Sequence, residues 1–387
     1  MNFEPLKQYL DSINTRGGEE KWCAPGTNTV IYKDHEEIFS YSTGYADIER
    51  KIPTDMGKIY NLYSCSKITT ATAALQLIEK GIISVQDPLS KYFPEYENVK
   101  VNVYNDKGEV VGTRPPKRPI LIKHILSMTS GMGYDLQSEP LVKVIKETDG
   151  RAPTLDICRA FAEVPLYFDP GDKYLYSFGL DVMGGVIEVA TGMPYSEYVR
   201  KNIFEPLGMK NTTFHPDFSD ESLFATQYEL KPDKKIVRCE LEYNPHRLGT
   251  EFDGGGAGIA STTDDYVLLL DALANGGVGK TGKRILTSYG VELMRSGMLT
   301  DEQIKTLWES PYCMGYTYCY GVRKCIDRGA GGNLAPLGEF GWDGWKVCLA
   351  MIDPENRIAV FHTEYLNGYH DEIIPKLRNL IYHCIGS

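Results

Sequence analysis

The sequence predicts a mixed α/β (α+β) fold in which an antiparallel sheet is flanked by helices and interrupted by a mostly helical subdomain. Three observations carry that expectation. Strand-like segments stand near both chain ends, and the long middle stretch reads as helical patterns joined by Pro- and Gly-rich loops. The length, 387 residues, suits one enzyme-sized body of two interlocked subdomains. The simplest arrangement gives residues 1–86 and 251–387 to the sheet subdomain and 87–250 to the helical one, with the active site between them.

After a helix-like opening, residues 27–32 and 37–43 are β-rich on either side of a polar tetrapeptide, which reads as a hairpin at a sheet edge. Residues 66–80 turn helical, with Ala, Leu and Ile at three- and four-residue spacings, and Gly81 ends the pattern. Residues 101–113 alternate apolar and polar around Asn105-Asp106-Lys107-Gly108, a second hairpin placed to project as a flap. A helix is expected over 181–191, and a closing segment over 204–209. Strand character returns at 316–323, 346–352 and 357–363, followed by a terminal helix over 372–384.

Composition excludes several functions. The net charge of −11, with 41 basic and 52 acidic residues, repels a polyanion, and no basic stripe interleaved with aromatics overrides it, so no nucleic-acid partner is expected. The N-terminus lacks the basic and apolar runs of an export signal, and no stretch is apolar and long enough to span a bilayer. The expectation is a cytoplasmic protein. Nine cysteines, an odd number, fit reduced and mostly buried thiols better than a disulfide framework. Cys313, Cys319 and Cys325 recur at equal spacing. With no Cys-x-x-Cys pair or nearby His to complete a metal site, they read as core residues on one sheet face.

A serine hydroxyl attacks an acyl group only with a base in hydrogen-bond reach and donors for the oxyanion. Ser64-Cys65-Ser66-Lys67 supplies both at a helix start. Positions i and i+3 share a face, and the helix N-terminus presents unpaired N–H groups. By itself Ser-x-x-Lys is equally the pattern of a helix cap followed by a solvated lysine.

The surroundings decide between those readings. Tyr60-Asn61-Leu62-Tyr63 precedes the motif, and an alanine-rich helix ending in Leu77-Ile78-Glu79-Lys80-Gly81 follows it. Then come Asp87-Pro88-Leu89, Tyr92-Phe93-Pro94, Leu126-Ser127-Met128-Thr129-Ser130-Gly131, Pro170-Gly171, Glu205-Pro206-Leu207-Gly208-Met209, Gly254-Gly255-Gly256-Ala257-Gly258 and Ile352-Asp353-Pro354. This ordered run resembles the serine β-lactamase, penicillin-binding-protein and related esterase superfamily in its class C-like branch. It covers nearly the whole chain.

The resemblance implies the β-lactamase/transpeptidase-like fold and a second box, Tyr-x-Asn, whose tyrosine shares proton transfer with the serine and lysine. Tyr176-Ser177-Phe178 stands there. The tyrosine is kept, while Phe178 removes one amide contact expected for a β-lactam or peptide substrate. The third box, Lys-Thr-Gly or His-x-Gly, opens a strand in the family. A literal Lys280-Thr281-Gly282 sits in a loop too early in the chain, and the positional match is Trp342-Asp343-Gly344. That substitution resembles the Trp-x-Gly of family VIII carboxylesterases, as does Tyr176-Ser177 followed by Asp181-Val182. An indole in place of a cation favours neutral or apolar acyl substrates.

By family analogy, the backbone N–H groups of Ser64 and Trp345 form the oxyanion hole. Trp342, Asp343, Gly344 and Phe178 are expected to meet substrate, Asp343 either through a substrate amine or hydroxyl or as a loop carboxylate bound to backbone. The glycine run 254–258 fails the dinucleotide spacing and reads as a tight turn flooring the cleft. The expected function is a serine hydrolase that cleaves carboxylic esters through an acyl-enzyme on Ser64, its partner a small-molecule ester or amide, with no metal or cofactor. Its catalytic residues are Ser64, Lys67 and Tyr176. A transacylase on the same site, a β-lactamase or D-amino-acid peptidase, and a non-catalytic ligand-binding relative are the alternatives.

Overall fold

The structure is a computed structural model that describes residues 1–15, 24–233, 235–296, 299–367 and 370–386. Eight strands form its main sheet. In chain order they are Gly26–Lys33 (β1), Glu36–Asp47 (β2), Ile52–Pro53 (β3), Tyr316–Tyr318 (β4), Arg323–Cys325 (β5), Phe340–Gly344 (β6), Cys348–Asp353 (β7) and Ile358–Thr363 (β8). Their spatial order is β4-β5-β6-β7-β8-β1-β2-β3, antiparallel throughout. The fold is thus the mixed α/β, β-lactamase/transpeptidase-like one, with a large antiparallel sheet.

The two chain ends meet where β1 pairs with β8, Val30 opposite Phe361. This makes β1 an interior strand instead of the sheet edge expected from its hairpin. The reason is burial: β7 and β8 are buried along their whole length, and strands buried on both faces need neighbours on both sides.

Alternation along the strands sorts two cores. Ile31, Leu349, Met351 and Val360 face one way, onto Leu6, Leu10 and Ile13 of Glu4–Thr15 (α1) and Ile374, Leu377 and Ile381 of the terminal helix His370–Gly386. Val30, Ala350, Ile352 and Phe361 face the other way, into the larger core that includes the helix Ser66–Glu79 (α2). Every residue of α2 from Ser66 to Leu77 is buried. A helix buried on all sides carries small residues where neighbours approach, which explains its Ala and Thr content. Gly179–Thr191 (α3) packs on it.

The expected strand over 316–323 is two strands, β4 and β5. Gly321, with φ of +72°, turns the chain between them, and Cys319 N–H donates to Val322 O at 2.7 Å. The turn lies against α2, since a Cβ at Gly321 would stand 2.7 Å from that of Ala71. Consequently the three equally spaced cysteines do not share a sheet face. Cys313 sits in a 3₁₀ turn, Cys319 in the hairpin turn and Cys325 on β5, each a buried thiol. Among the described residues no His, Cys, Asp and Glu cluster could hold a metal. Cys23 lies outside the described residues.

The second hairpin is present as Val101–Tyr104 paired with Val110–Arg114. Among the described residues no helix is long and apolar enough to cross a membrane.

The glycine run at 254–258 is a tight turn closed by Gly258 N–H donating to Gly254 O at 2.8 Å. A Cβ at Gly255 would stand 2.3 Å from the Leu180 carbonyl oxygen, whereas one at Gly112 meets nothing within 4 Å. Gly255→Ala is therefore expected to lower stability by about 1–3 kcal/mol through overpacking, and Gly112→Ala to stay within about 0.5 kcal/mol. Denaturant unfolding of both variants tests this, and equal losses would contradict it.

Candidate active site

Ser64 lies in a single 3₁₀ turn, Tyr63–Cys65, that leads directly into α2. Tyr63 holds φ at +47°, a conformation that costs a bulky residue about 1–3 kcal/mol and persists only when its surroundings fix it. They do so here. The Tyr63 ring is buried, its hydroxyl donates to Gln227 Oε1, and its face meets the Trp345 ring edge-on at 5.3 Å between centroids. On the other side, Tyr266 donates its hydroxyl to Cys65 O at 2.5 Å. The turn that carries Ser64 is clamped by side chains on both flanks.

Two groups converge on the serine oxygen. Lys67 Nζ is 3.2 Å from Ser64 Oγ, and the Tyr176 hydroxyl donates to it at 2.7 Å. Lys67 is fully buried and donates to Gly256 O at 2.7 Å. The Gly256 N–H in turn donates to Asp181 Oδ1 at 2.8 Å. Asp181 is buried on α3, and that burial raises its carboxyl above the ordinary value while the Lys67 charge opposes the shift. Neither Gly255 nor Gly256 admits a side chain, because a Cβ on Gly256 would stand 2.3 Å from Asp181 Oδ2. The glycine turn thus delivers a carbonyl to the lysine and an N–H to the carboxylate.

Trp342 completes the surroundings of Tyr176. Its indole Nε1 donates to the Tyr176 hydroxyl at 3.2 Å, and the two rings stack at 5.7 Å with 19° between planes. The tyrosine oxygen therefore has a fixed donor behind it and the serine in front. Lys67 also stands over the Tyr176 ring, 4.7 Å from its centroid.

Gly344, at the end of β6, explains the glycine of the third box. A Cβ there would lie 2.2 Å from Leu62 O, so only glycine lets the strand approach the turn that carries Ser64. Cys65 Sγ sits beneath the same junction, 3.5 Å from Trp342 O and 3.6 Å from Cys348 O. Trp345, half-buried, begins the turn after β6, whose next two residues, Lys346 and Val347, both have positive φ of 63° and 62°.

Two expected substrate contacts lie elsewhere. Asp343 alternates with Trp342 along β6 and so points to the opposite side of the strand, where its Oδ2 accepts from the fully buried Arg323 at 2.7 Å. It is an interior ion-pair member, not a wall of the cleft. Phe178 is buried too, stacked on Phe161 at 4.3 Å and against Tyr134 at 4.5 Å. It lines a cavity of about 100 Å³ together with Met132, Val164 and Pro165, and it supports Tyr134, which packs edge-on against Tyr176 at 5.3 Å. Phe178 shapes the site through that aromatic.

Lys280-Thr281-Gly282 is held away from this chemistry. Thr281 donates to Pro206 O at 2.8 Å and Lys280 stands 5.2 Å over the Tyr32 ring. A second constellation imitates a catalytic triad: Thr29 Oγ1 is 2.7 Å from His362 Nδ1, and His362 Nε2 is 2.9 Å from Glu364 Oε1. All three residues are fully buried within the sheet, so no substrate reaches that hydroxyl and the trio is structural.

Sequence reasoning noted Asp181 only as part of a pattern and passed over Tyr134, the Gly256 carbonyl that accepts from Lys67, and His246. None has a local signature, since each acts through a contact between segments far apart in the chain.

The fold thus brings together a serine at a helix start, a lysine one turn on and a tyrosine from a distant segment. The chain belongs to the beta-lactamase family, whose pattern it matches over residues 16–368. It is 29% identical over 344 residues to Protein Rv1367c of Mycobacterium tuberculosis, covering 87% of this chain and 84% of that one. It is 26% identical over 379 residues to the acyltransferase calJ of Penicillium decumbens, covering 89% and 84%. Its fold matches EstCE1, a hydrolase with promiscuous acyltransferase activity, with a TM-score of 0.77, 22% identity and coverage of 97% and 98%.

The Trp342–Tyr176 hydrogen bond yields a direct expectation. Trp342→Phe keeps a ring for stacking but removes the donor, so kcat towards a good substrate should fall about tenfold with little change in melting temperature. Steady-state kinetics and thermal unfolding decide it, and an unchanged kcat would show that the indole N–H does not serve the tyrosine.

Proposed function

We propose that this protein is a serine hydrolase that cleaves carboxylic esters through an acyl-enzyme on Ser64. The observation that carries the reading is the convergence of Lys67 Nζ at 3.2 Å and the Tyr176 hydroxyl at 2.7 Å on one serine oxygen. Lys67 together with Tyr176 takes the serine proton as Oγ attacks the ester carbonyl. The backbone N–H groups of Ser64 and Trp345 receive the developing oxyanion. The same pair returns the proton to the departing alkoxide, and water, deprotonated by that pair, then releases the acid and restores the serine.

The third box supports an ester over a β-lactam. Trp342 places an indole, which is neutral, where the family's lysine or histidine would meet a substrate carboxylate, and Phe178 replaces the amide-bearing asparagine. A partly open pocket lined in part by Met132, Phe161, Val164 and Phe178 adds apolar surface beside the aromatic cluster.

Acyl transfer to an alcohol is the second reading, and one observation favours it. The relative calJ is named an acyltransferase, and the machinery for releasing an acyl group to water or to an alcohol is the same up to the acyl-enzyme. Added alcohol that diverts product from acid to a new ester would mark transfer.

The assignment is tested with a fluorophosphonate probe. Wild-type protein should be labelled, competed by a short-chain aryl ester, and Ser64→Ala should lose both labelling and ester turnover by at least about 10³-fold. Turnover of the ester at the wild-type rate by Ser64→Ala would remove the proposal. Cleavage of a chromogenic cephalosporin as fast as of esters would move it to the β-lactamase reading.

A further inference from the structure

His246 is an imidazole in the wall of the aromatic cluster around Ser64, and nothing in the acyl-transfer chemistry above uses it. Its backbone N–H donates to Asn244 Oδ1 at 3.0 Å, and Asn244 Nδ2 donates to Ala257 O at 3.0 Å. These bonds tie residues 244–246 to the glycine turn that serves Lys67. The ring lies 5.2 Å from Tyr134 and meets Trp345 edge-on at 6.5 Å. Two aromatic walls fix its plane.

The two ring nitrogens differ. Nδ1 is buried and has no hydrogen-bond partner among the described residues, whereas Nε2 is not sequestered in that way. Burial, reinforced by the Lys67 charge, lowers the imidazole pKa to about 4, so near pH 7 the ring is neutral and has one proton to place. An orphaned buried N–H is the rarer and costlier defect, compared with an orphaned lone pair. The proton therefore belongs on Nε2, which makes His246 a neutral hydrogen-bond donor in an otherwise aromatic wall.

In the acyl-enzyme reading the departing alkoxide takes its proton from the Lys67–Tyr176 pair and so lies beside the Tyr176 hydroxyl. The wall made by Tyr134, His246 and Trp345 is then left for the acyl part. We propose that His246 recognises the acyl group, its Nε2–H donating to an ether, hydroxyl or keto oxygen carried on the acyl chain. The preferred substrates are thus esters of oxygen-bearing acids rather than of plain alkanoic acids. This inference rests on the Ser64 acyl-enzyme reading.

Matched pairs of para-nitrophenyl esters test it: methoxyacetate against butanoate, and methoxypropanoate against pentanoate. Each pair exchanges one methylene for an oxygen, at two distances from the carbonyl. The readout is the ratio of kcat/KM within each pair, normalised to the spontaneous hydrolysis of the same esters. Wild type should prefer the oxygen-bearing member of at least one pair, His246→Phe should reduce that ratio about tenfold, and His246→Gln, which restores an N–H donor, should recover part of it. Ratios that are the same in wild type and His246→Phe for both pairs would overturn the proposal. Fluorophosphonate labelling run alongside separates the two levels. Labelled Ser64 with unchanged ratios overturns the role of His246 alone, whereas wild-type protein that is not labelled overturns the acyl-enzyme reading beneath it.

Discussion

The fully buried amine of Lys67 is the constraint around which the site is organised. A lysine with no exposure requires polar partners in the interior, and it has the Gly256 carbonyl and the Ser64 hydroxyl. The carbonyl is available because residues 254–258 form a turn too tight for side chains, and that turn is fixed by Asp181, whose carboxylate accepts the Gly256 N–H. Thr70 extends the same anchoring one turn along α2 by donating to Gly255 O at 2.6 Å. Satisfying one buried amine thus fixes the relation of α2, α3 and the glycine turn.

A second set of contacts positions the serine. The strained Tyr63, the Tyr266 hydroxyl on Cys65 O and the side-chain-free approach of Gly344 to Leu62 O hold the turn that carries Ser64 against β6. Strain at such a turn persists because it is offset by packing around it. Because β6 carries Trp342 on the cleft side and Asp343 on the interior side, one strand both orients Tyr176 and anchors itself to Arg323. Departures from the family's boxes then act at a few points: an indole N–H where a cation would stand, and a phenyl ring behind Tyr134 where an amide would reach substrate.

Much of this was legible in the sequence where the signal is local. The hydrophobic period of α2 and its closing Gly81, and the β-rich segments on either side of a polar tetrapeptide in β1 and β2, gave the correct elements, and the order of boxes picked out Ser64, Lys67 and Tyr176, which the fold brings within hydrogen-bond reach. The tight turn at 254–258 was legible as well, since a run of glycines has few other uses. Long-range facts were not. β1 is interior because β8 pairs with it from the far end of the chain, which no local pattern reports. The strand expected over 316–323 is split by Gly321, where α2 blocks a straight path. Asp343 was placed in the cleft because loop and strand readings of its segment differ in which side it faces. A five-residue strand settles it by alternation. The imidazole of His246 gave no sequence signal because its distinctiveness lies in which nitrogen is buried.

The central claim is that Ser64 becomes covalently acylated in turnover. The most direct measurement is rapid acid quench during hydrolysis of an aryl ester, followed by intact-protein and peptide mass spectrometry. An acyl increment on the peptide containing Ser64, appearing in step with an initial burst of phenol and absent once substrate is consumed, is the expected result. Burst-free turnover with unmodified Ser64 peptide, or an acyl group on another residue, would contradict it.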